Sequence, residues 1–304
     1  MGSPTLGGSL APPAFGYREH VATFGPGDRL VGVLTRPEGI AERPTAVVLL
    51  NAGLIHHVGP QRLWVTLARH LARSGFTVLR FDHAGIGDSP HRDDGQPFEH
   101  SSLTDVDDAL GWLERNTSCR RFALLGLCAG TLTAFRFAQR DERVAAIVLL
   151  TALLEDPTTV PEEVVAEAMD RRVGRSYVTE KATSSEAWKR LLTGQVNPGR
   201  ILRTLGRSAF APAPAVAARS GTAAAVAGLE QLLRRGTAIA FLFAEPTTVL
   251  EYFRMTIEPR LPQLQALGPL AFTVLKGADH TFTARRDQAR VADAVTGWLE
   301  QTFP

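Results

Sequence analysis

The chain has 304 residues, of which 44% are hydrophobic and 21% charged. That is the composition of an ordinary globular protein, and a net charge of +2 gives no global sign of a nucleic-acid partner. No apolar run approaches the roughly 20 residues that cross a bilayer.

Met1 to Ala14 lacks a basic segment followed by a hydrophobic one, so residues 1–14 are expected to be a disordered leader. Residues 18–24 and 29–35 then form a β-hairpin, joined by the turn residues Gly25-Pro26-Gly27-Asp28. Ala46 to Leu50 is a continuous apolar run that suits a strand buried on both faces. The loop from Asn51 to Pro60 leads into a helix over about residues 61–74. Residues 76–81 are the next strand, and Asp82 to Ser89 turn away from it. Asp82 and Asp88 are assigned there to tying the strand end to its loop. A helix over about residues 103–115 precedes the strand Phe122 to Leu125, and Val144 to Leu150 is a further buried strand. Strands alternating with helices imply a largely parallel sheet.

The alternation stops near Leu154. For some eighty residues the pattern is of helical pieces broken by prolines. It resumes at the strands 238–243 and 271–275 and closes with an amphipathic helix over about residues 287–302. The expected organisation is a core of residues 15–153 and 237–304, with residues 154–236 forming a helical cap after the sixth strand.

The chemistry centres on Gly126-Leu127-Cys128-Ala129-Gly130, set between a buried strand and a helix. A Gly-x-nucleophile-x-Gly in that context is a nucleophile elbow, whose central side chain stands free at a helix N-terminus. Here that side chain is a thiol. A thiol at a helix N-terminus beside an imidazole has a depressed pKa and is partly thiolate at neutral pH. The other cysteine, Cys119, is separated from it by about 30 Å of extended strand at ~3.3 Å per residue. A disulfide spans at most about 7 Å, so two free thiols are expected, which fits a cytoplasmic setting.

Among the eight histidines, His280 alone follows the last strand, where the base of such an enzyme belongs. The acid that orients it has three candidates. Asp156 and Glu155 follow the strand ending at Leu150, and Glu245 follows the strand ending at Phe243. Asp156 is favoured for its short stem and its place before Pro157. The oxyanion hole is expected to use the backbone N–H groups of Ala129, next to the nucleophile, and of Leu54, in the loop after Leu50. His56 and His57 follow closely and are read as loop residues without a catalytic part. No sequence cluster has metal-ligand spacing, there is no P-loop or dinucleotide fingerprint, and no cofactor is required.

The elbow, the late histidine and the strand–helix alternation resemble the α/β-hydrolase superfamily over nearly the whole ordered length. Asn51-Ala52-Gly53-Leu54 through Arg62, Arg80-Phe81-Asp82 and Gly277 to Phe282 resemble the exosortase-system-associated hydrolases. The elbow cysteine, the late histidine and an acid after the strand preceding the cap are similar to the cysteine-dependent Dieckmann cyclases that release tetramate and pyridone polyketide–peptide hybrids. That resemblance implies a triad of Cys128, His280 and Asp156 (or Glu155). It also implies a carrier-bound polyketide or peptide thioester as substrate. Hydrolysis by a cysteine thioesterase or esterase, and binding without catalysis, are the competing expectations. From Lys189 to Arg235 the cap carries Lys189, Arg190, Arg200, Arg203, Arg207, Arg219, Arg234 and Arg235 against Glu230 alone. A basic cap suits docking of an acidic carrier protein.

Overall fold

A computed structural model of the chain describes residues 16–155, 159–181 and 220–304. Its strands are β1 (Tyr17–Phe24), β2 (Leu30–Pro37), β3 (Thr45–Leu49), β4 (Val78–Phe81), β5 (Arg121–Leu127), β6 (Val144–Leu150), β7 (Ala238–Glu245) and β8 (Leu270–Lys276). They form one sheet in the order β1-β2-β4-β3-β5-β6-β7-β8. The hairpin strand β2 pairs antiparallel with β4, and every pairing from β4 to β8 is parallel.

Helices on both faces explain the continuous apolar runs. Successive side chains of a strand point to opposite faces. Val47 and Leu49 of β3 therefore join Leu67 and Leu71 of α1 (Leu63–Arg73) and Val291 and Val295 of the last helix (Arg285–Thr302). Ala46 and Val48 of the same strand join Val106 and Leu110 of α2 (Phe98–Asn116) and Phe135 of α3 (Ala129–Arg140). A strand buried on both sides has no polar alternation to show.

All eight expected strands are present, and the helices differ mainly at their starts. α2 begins more than a turn before Leu103. Its first turn, Phe98 to Ser101, has no apolar periodicity and is set instead by Pro97, whose carbonyl accepts from the N–H groups of His100 and Ser101.

After β6 the chain leaves the sheet for α4 (Glu162–Lys181) and returns through α5 (Ser220–Arg234). Leu229, Leu232 and Leu233 of α5 join the main core with Phe135 and Ile239, so the end of the 154–236 segment packs with the sheet and its helices. α6 (Thr248–Thr256), which follows β7, has no counterpart among the expected elements. It is capped by Thr247, whose side chain accepts from the Leu250 N–H at 3.2 Å. α7 (Leu261–Gln265) and α8 (Arg285–Thr302) flank the last strand. Among the described residues, no helix is long and apolar enough to cross a membrane.

Candidate active site

Cys128 sits between β5 and α3 with φ 55° and ψ −119°, a left-handed backbone that a side chain adopts only where its surroundings impose it. The two flanking glycines make that turn sterically possible. A Cβ on Gly126 would come within 2.3 Å of the Gly130 carbonyl, and one on Gly130 within 2.5 Å of the Asn51 carbonyl oxygen. Hydrogen bonds then fix the turn. The Cys128 N–H donates to the Leu150 carbonyl at 3.1 Å, and Thr131 donates to the Cys128 carbonyl from its N–H at 3.0 Å and its hydroxyl at 2.5 Å. The result is an exposed thiol at the N-terminus of a helix, whereas Cys119 is buried. Burial pushes the Cys119 thiol up, away from thiolate.

Cys128 opens onto a cavity of about 240 Å³. Ala129, Thr151 and Glu155 share its wall, and Phe98, Leu103, Leu132, Leu153 and Val249 make the rest of the wall mainly apolar. Arg136 and Glu99, 3.8 Å apart, stand on the same wall.

His280 lies in the loop between β8 and α8. The Thr151 hydroxyl donates to the His280 carbonyl at 3.5 Å, which sets the histidine beside a residue of the cavity wall. Burial lowers the His280 pKa, opposed by the neighbouring Asp279 carboxylate, so its imidazole is neutral at pH 7 and ready to accept a proton. Asp279 shapes this loop. Burial pushes its carboxyl up, but hydrogen bonds from the N–H and hydroxyl groups of Thr281 and Thr283 outweigh that and hold it low. The Asp-x-Thr-x-Thr pattern is a local signal for such a turn. Among the described residues, no carboxylate accepts a hydrogen bond from the His280 ring, and none joins it to Cys128.

The three acid candidates separate clearly. Asp156 lies outside the described residues. Glu155 Oε1 accepts from the hydroxyls of Thr222 at 2.9 Å and Tyr252 at 2.8 Å, which ties it to α5 and α6. Glu245 pairs with Arg254 at 2.9 Å, beside the Arg254–Glu251 pair at 2.7 Å. Both glutamates therefore have partners other than the imidazole.

The two oxyanion candidates come from segments that touch. Asn51, which opens the Leu54 loop, lies against Gly130 in the first turn of α3. Ala129 is the first residue of that helix, where an N–H has no intrahelical acceptor. Leu54 is 86% exposed.

Folding also gathers residues that the sequence separates. Asp82, fully buried at the end of β4, accepts from the His57 N–H at 2.6 Å and its Nδ1 at 2.7 Å, from Asn51 Nδ2 at 2.8 Å and from the Asp88 N–H at 3.1 Å. His56 Nε2 lies 2.9 Å from Asp88 Oδ2. Ligand-type atoms of His56, His57, Asp82 and Asp88 thus lie within 4.8 Å of one another, a grouping that no sequence spacing shows. The Asp82 oxygens are already occupied by N–H donors. Asp82 does tie its strand end to the following loop, and it reaches the Leu54 loop as well. Of the basic residues expected on the cap, Arg235 donates to the Ala138 carbonyl at 2.5 Å and Arg234 lies 3.9 Å from Glu230. The other six, Lys189 to Arg219, lie outside the described residues.

A strained elbow carrying an exposed side chain at a helix N-terminus and a histidine after the last strand of a mostly parallel sheet are the marks of an α/β-hydrolase. The model of the alpha/beta hydrolase fold family matches residues 46–204, just over half of the chain, and the chain belongs to that family. No curated protein matches it in sequence. Among solved structures it is similar to the esterase Pf2001 of Pyrococcus furiosus, with a TM-score of 0.54 and 13% identity over 100% of both chains. It is also similar to a dienelactone hydrolase from Anabaena variabilis, with a TM-score of 0.55 and 14% identity over 95% of this chain and 100% of that one. DcsB, solved in complex with a substrate analogue, has a TM-score of 0.53 and 17% identity over 94% of this chain and 100% of its own. At these identities the likeness is one of fold.

Proposed function

We propose that the protein is a cysteine-dependent acyl-transfer enzyme that accepts a carrier-bound polyketide or peptide thioester on Cys128 and releases it by intramolecular Dieckmann-type cyclisation. The observation that carries this reading is an exposed thiol on a strained elbow in the wall of a mainly apolar cavity. The proton on Cys128 passes to the neutral His280, and the thiolate attacks the thioester carbonyl. The N–H groups of Ala129 and Leu54 take up the developing oxyanion. The carrier thiolate leaves with the proton held by His280, giving acyl-Cys128. One thioester replaces another, so the step is close to thermoneutral, and the acyl group stays more electrophilic than a serine ester. His280 then removes the acidic proton between two carbonyls of the same acyl chain. The carbanion attacks the acyl carbonyl, a carbon–carbon bond forms, the carbon–sulfur bond breaks, and Cys128 recovers its proton from His280.

Asp156 is the acid of this scheme, holding the tautomer of His280. The engagement of Glu155 with two hydroxyls and of Glu245 with Arg254 supports that choice by elimination. The basic residues between Lys189 and Arg234 are the proposed dock for an acidic carrier protein, and a cytoplasmic location goes with it. A cavity of about 240 Å³ holds the volume of roughly eight water molecules at ~30 Å³ each, which suits a short apolar stretch of acyl chain next to the reacting carbonyl. Hydrolysis is the second reading, favoured by the likeness in fold to an esterase and a dienelactone hydrolase.

Incubation with a β-ketoamide thioester, followed by intact mass and product analysis, tests the proposal. Acyl-Cys128 and a cyclic product minus the thiol are expected. A linear acid as the only product would move the assignment to hydrolysis. Cys128→Ser is expected to lose cyclisation by at least about 10²-fold, since its oxygen ester is a poorer acyl donor. A serine variant cyclising at full rate would remove the role given to sulfur.

A further inference from the structure

We infer that the buried Asp82 carboxylate, acting through His57 and Asn51, positions the loop that presents the Leu54 N–H to the reacting carbonyl. This makes His57 a positioning residue for acyl transfer, and it rests on the proposed chemistry at Cys128.

Apolar packing reaches only the start of this loop, where Ala52 is buried in the core. Gly53, at φ +62°, would meet nothing within 4 Å if it carried a Cβ, and Leu54 and Ile55 are 86% and 39% exposed. Beyond a turn in which the Ile55 N–H donates to the Ala52 carbonyl at 3.3 Å, its conformation depends on side-chain contacts, and these converge on one group. Asn51 Nδ2 donates both to the Ile55 carbonyl at 2.8 Å and to Asp82 Oδ1 at 2.8 Å, closing a ring around Ala52, Gly53 and Leu54. Asn51 Oδ1 accepts from the His83 N–H at 2.9 Å, anchoring the same side chain to the end of β4. At the far end, His57 is held twice by Asp82, through its N–H and its ring Nδ1. Both ends of the loop therefore hang from a single carboxylate that is fully buried.

Such a group is costly to leave partly satisfied and strong when saturated. Burial pushes the Asp82 carboxyl up, but hydrogen bonds from His57, the Asp88 N–H and Asn51 outweigh it and keep it ionised. The network also faces the elbow. The Asn51 carbonyl touches Gly130, so the start of the loop is seated on the first turn of the helix that follows Cys128. His57 is itself buried and does not line the cavity, so it acts through the loop rather than on substrate.

The test compares wild type with His57→Leu and His57→Asn, because asparagine's side-chain amide can stand where Nδ1 stands and keep a donor toward Asp82. Three rates are read. These are acylation of Cys128 by hexanoyl-N-acetylcysteamine (by mass), alkylation of Cys128 by iodoacetamide, and amide hydrogen exchange of residues 52–57. Alkylation develops no oxyanion and reports the thiolate alone. His57→Leu is expected to acylate about 10- to 100-fold more slowly, as a misplaced donor does, with alkylation unchanged and exchange in the loop faster. His57→Asn is expected to restore most of the acylation rate and the protection. Equal loss of acylation and alkylation in His57→Leu, or no change in loop exchange, would overturn the inference. Wild type that alkylates but never acylates would instead overturn the proposed function, and the exchange measurement would still decide whether His57 holds the loop.

Discussion

In the proposed scheme a single imidazole, that of His280, controls when the site works. Burial makes the folded His280 bind a proton less readily than an unfolded chain, where the ordinary value is 6.5. As pH falls below about 6.5 the unfolded state takes up the proton first, so stability drawn from this group is full above that pH and is lost below it until the folded imidazole protonates. The denaturant midpoint of wild type is therefore expected to fall more steeply than that of His280→Gln between about pH 7.5 and 5.5. Parallel curves would show that His280 is not the group responsible. The positions of Cys128 and His280 in the fold were legible in the sequence because each has an address: one between two glycines at a strand–helix turn, the other after the last strand. The partners of Asp82 were not. Asn51, His57 and Asp82 meet only when β3 and β4 lie side by side, and polar contacts between separate loops leave no periodicity to read.

Among the elements, the strands were the most legible part, since burial on both faces writes them as unbroken apolar runs. α5 was harder. Its alanines and leucines read as one more broken helical piece within the cap, yet Leu232 is fully buried against the core. Leu232→Ala is expected to lower the stability of the whole domain by about 2–5 kcal/mol, measured by urea unfolding followed by tryptophan fluorescence. A variant with an unchanged midpoint would mean that α5 unfolds independently of the sheet. α6 escaped notice because its start is set by the Thr247 cap rather than by a long apolar stripe.

For the molecule as a whole, the proposed docking of a carrier protein makes a claim about charge. If Lys189 to Arg234 receive an acidic carrier, acyl loading from the carrier-bound thioester is expected to slow as salt rises from low to physiological strength. There the Debye length shrinks to about 8 Å. Loading from the small N-acetylcysteamine thioester, which has no carrier to dock, is expected to stay constant. Equal salt responses of the two donors would remove the electrostatic dock. Net charge alone could not reveal such a surface, because +2 is the near-cancellation of 33 basic and 31 acidic residues.

The end of β6 carries a longer consequence. The Cys128 N–H is tied to Leu150, Thr151 is tied through its own N–H to Leu242 of β7 at 2.8 Å, and the Thr151 hydroxyl reaches the His280 carbonyl. The elbow thiol and the His280 loop are thus both gauged from one corner of the sheet. The segments that follow that corner can diverge in length and sequence without disturbing the spacing of Cys128 and the His280 loop. On the proposed function, such an arrangement lets a lineage exchange one acyl substrate for another while inheriting the same chemistry.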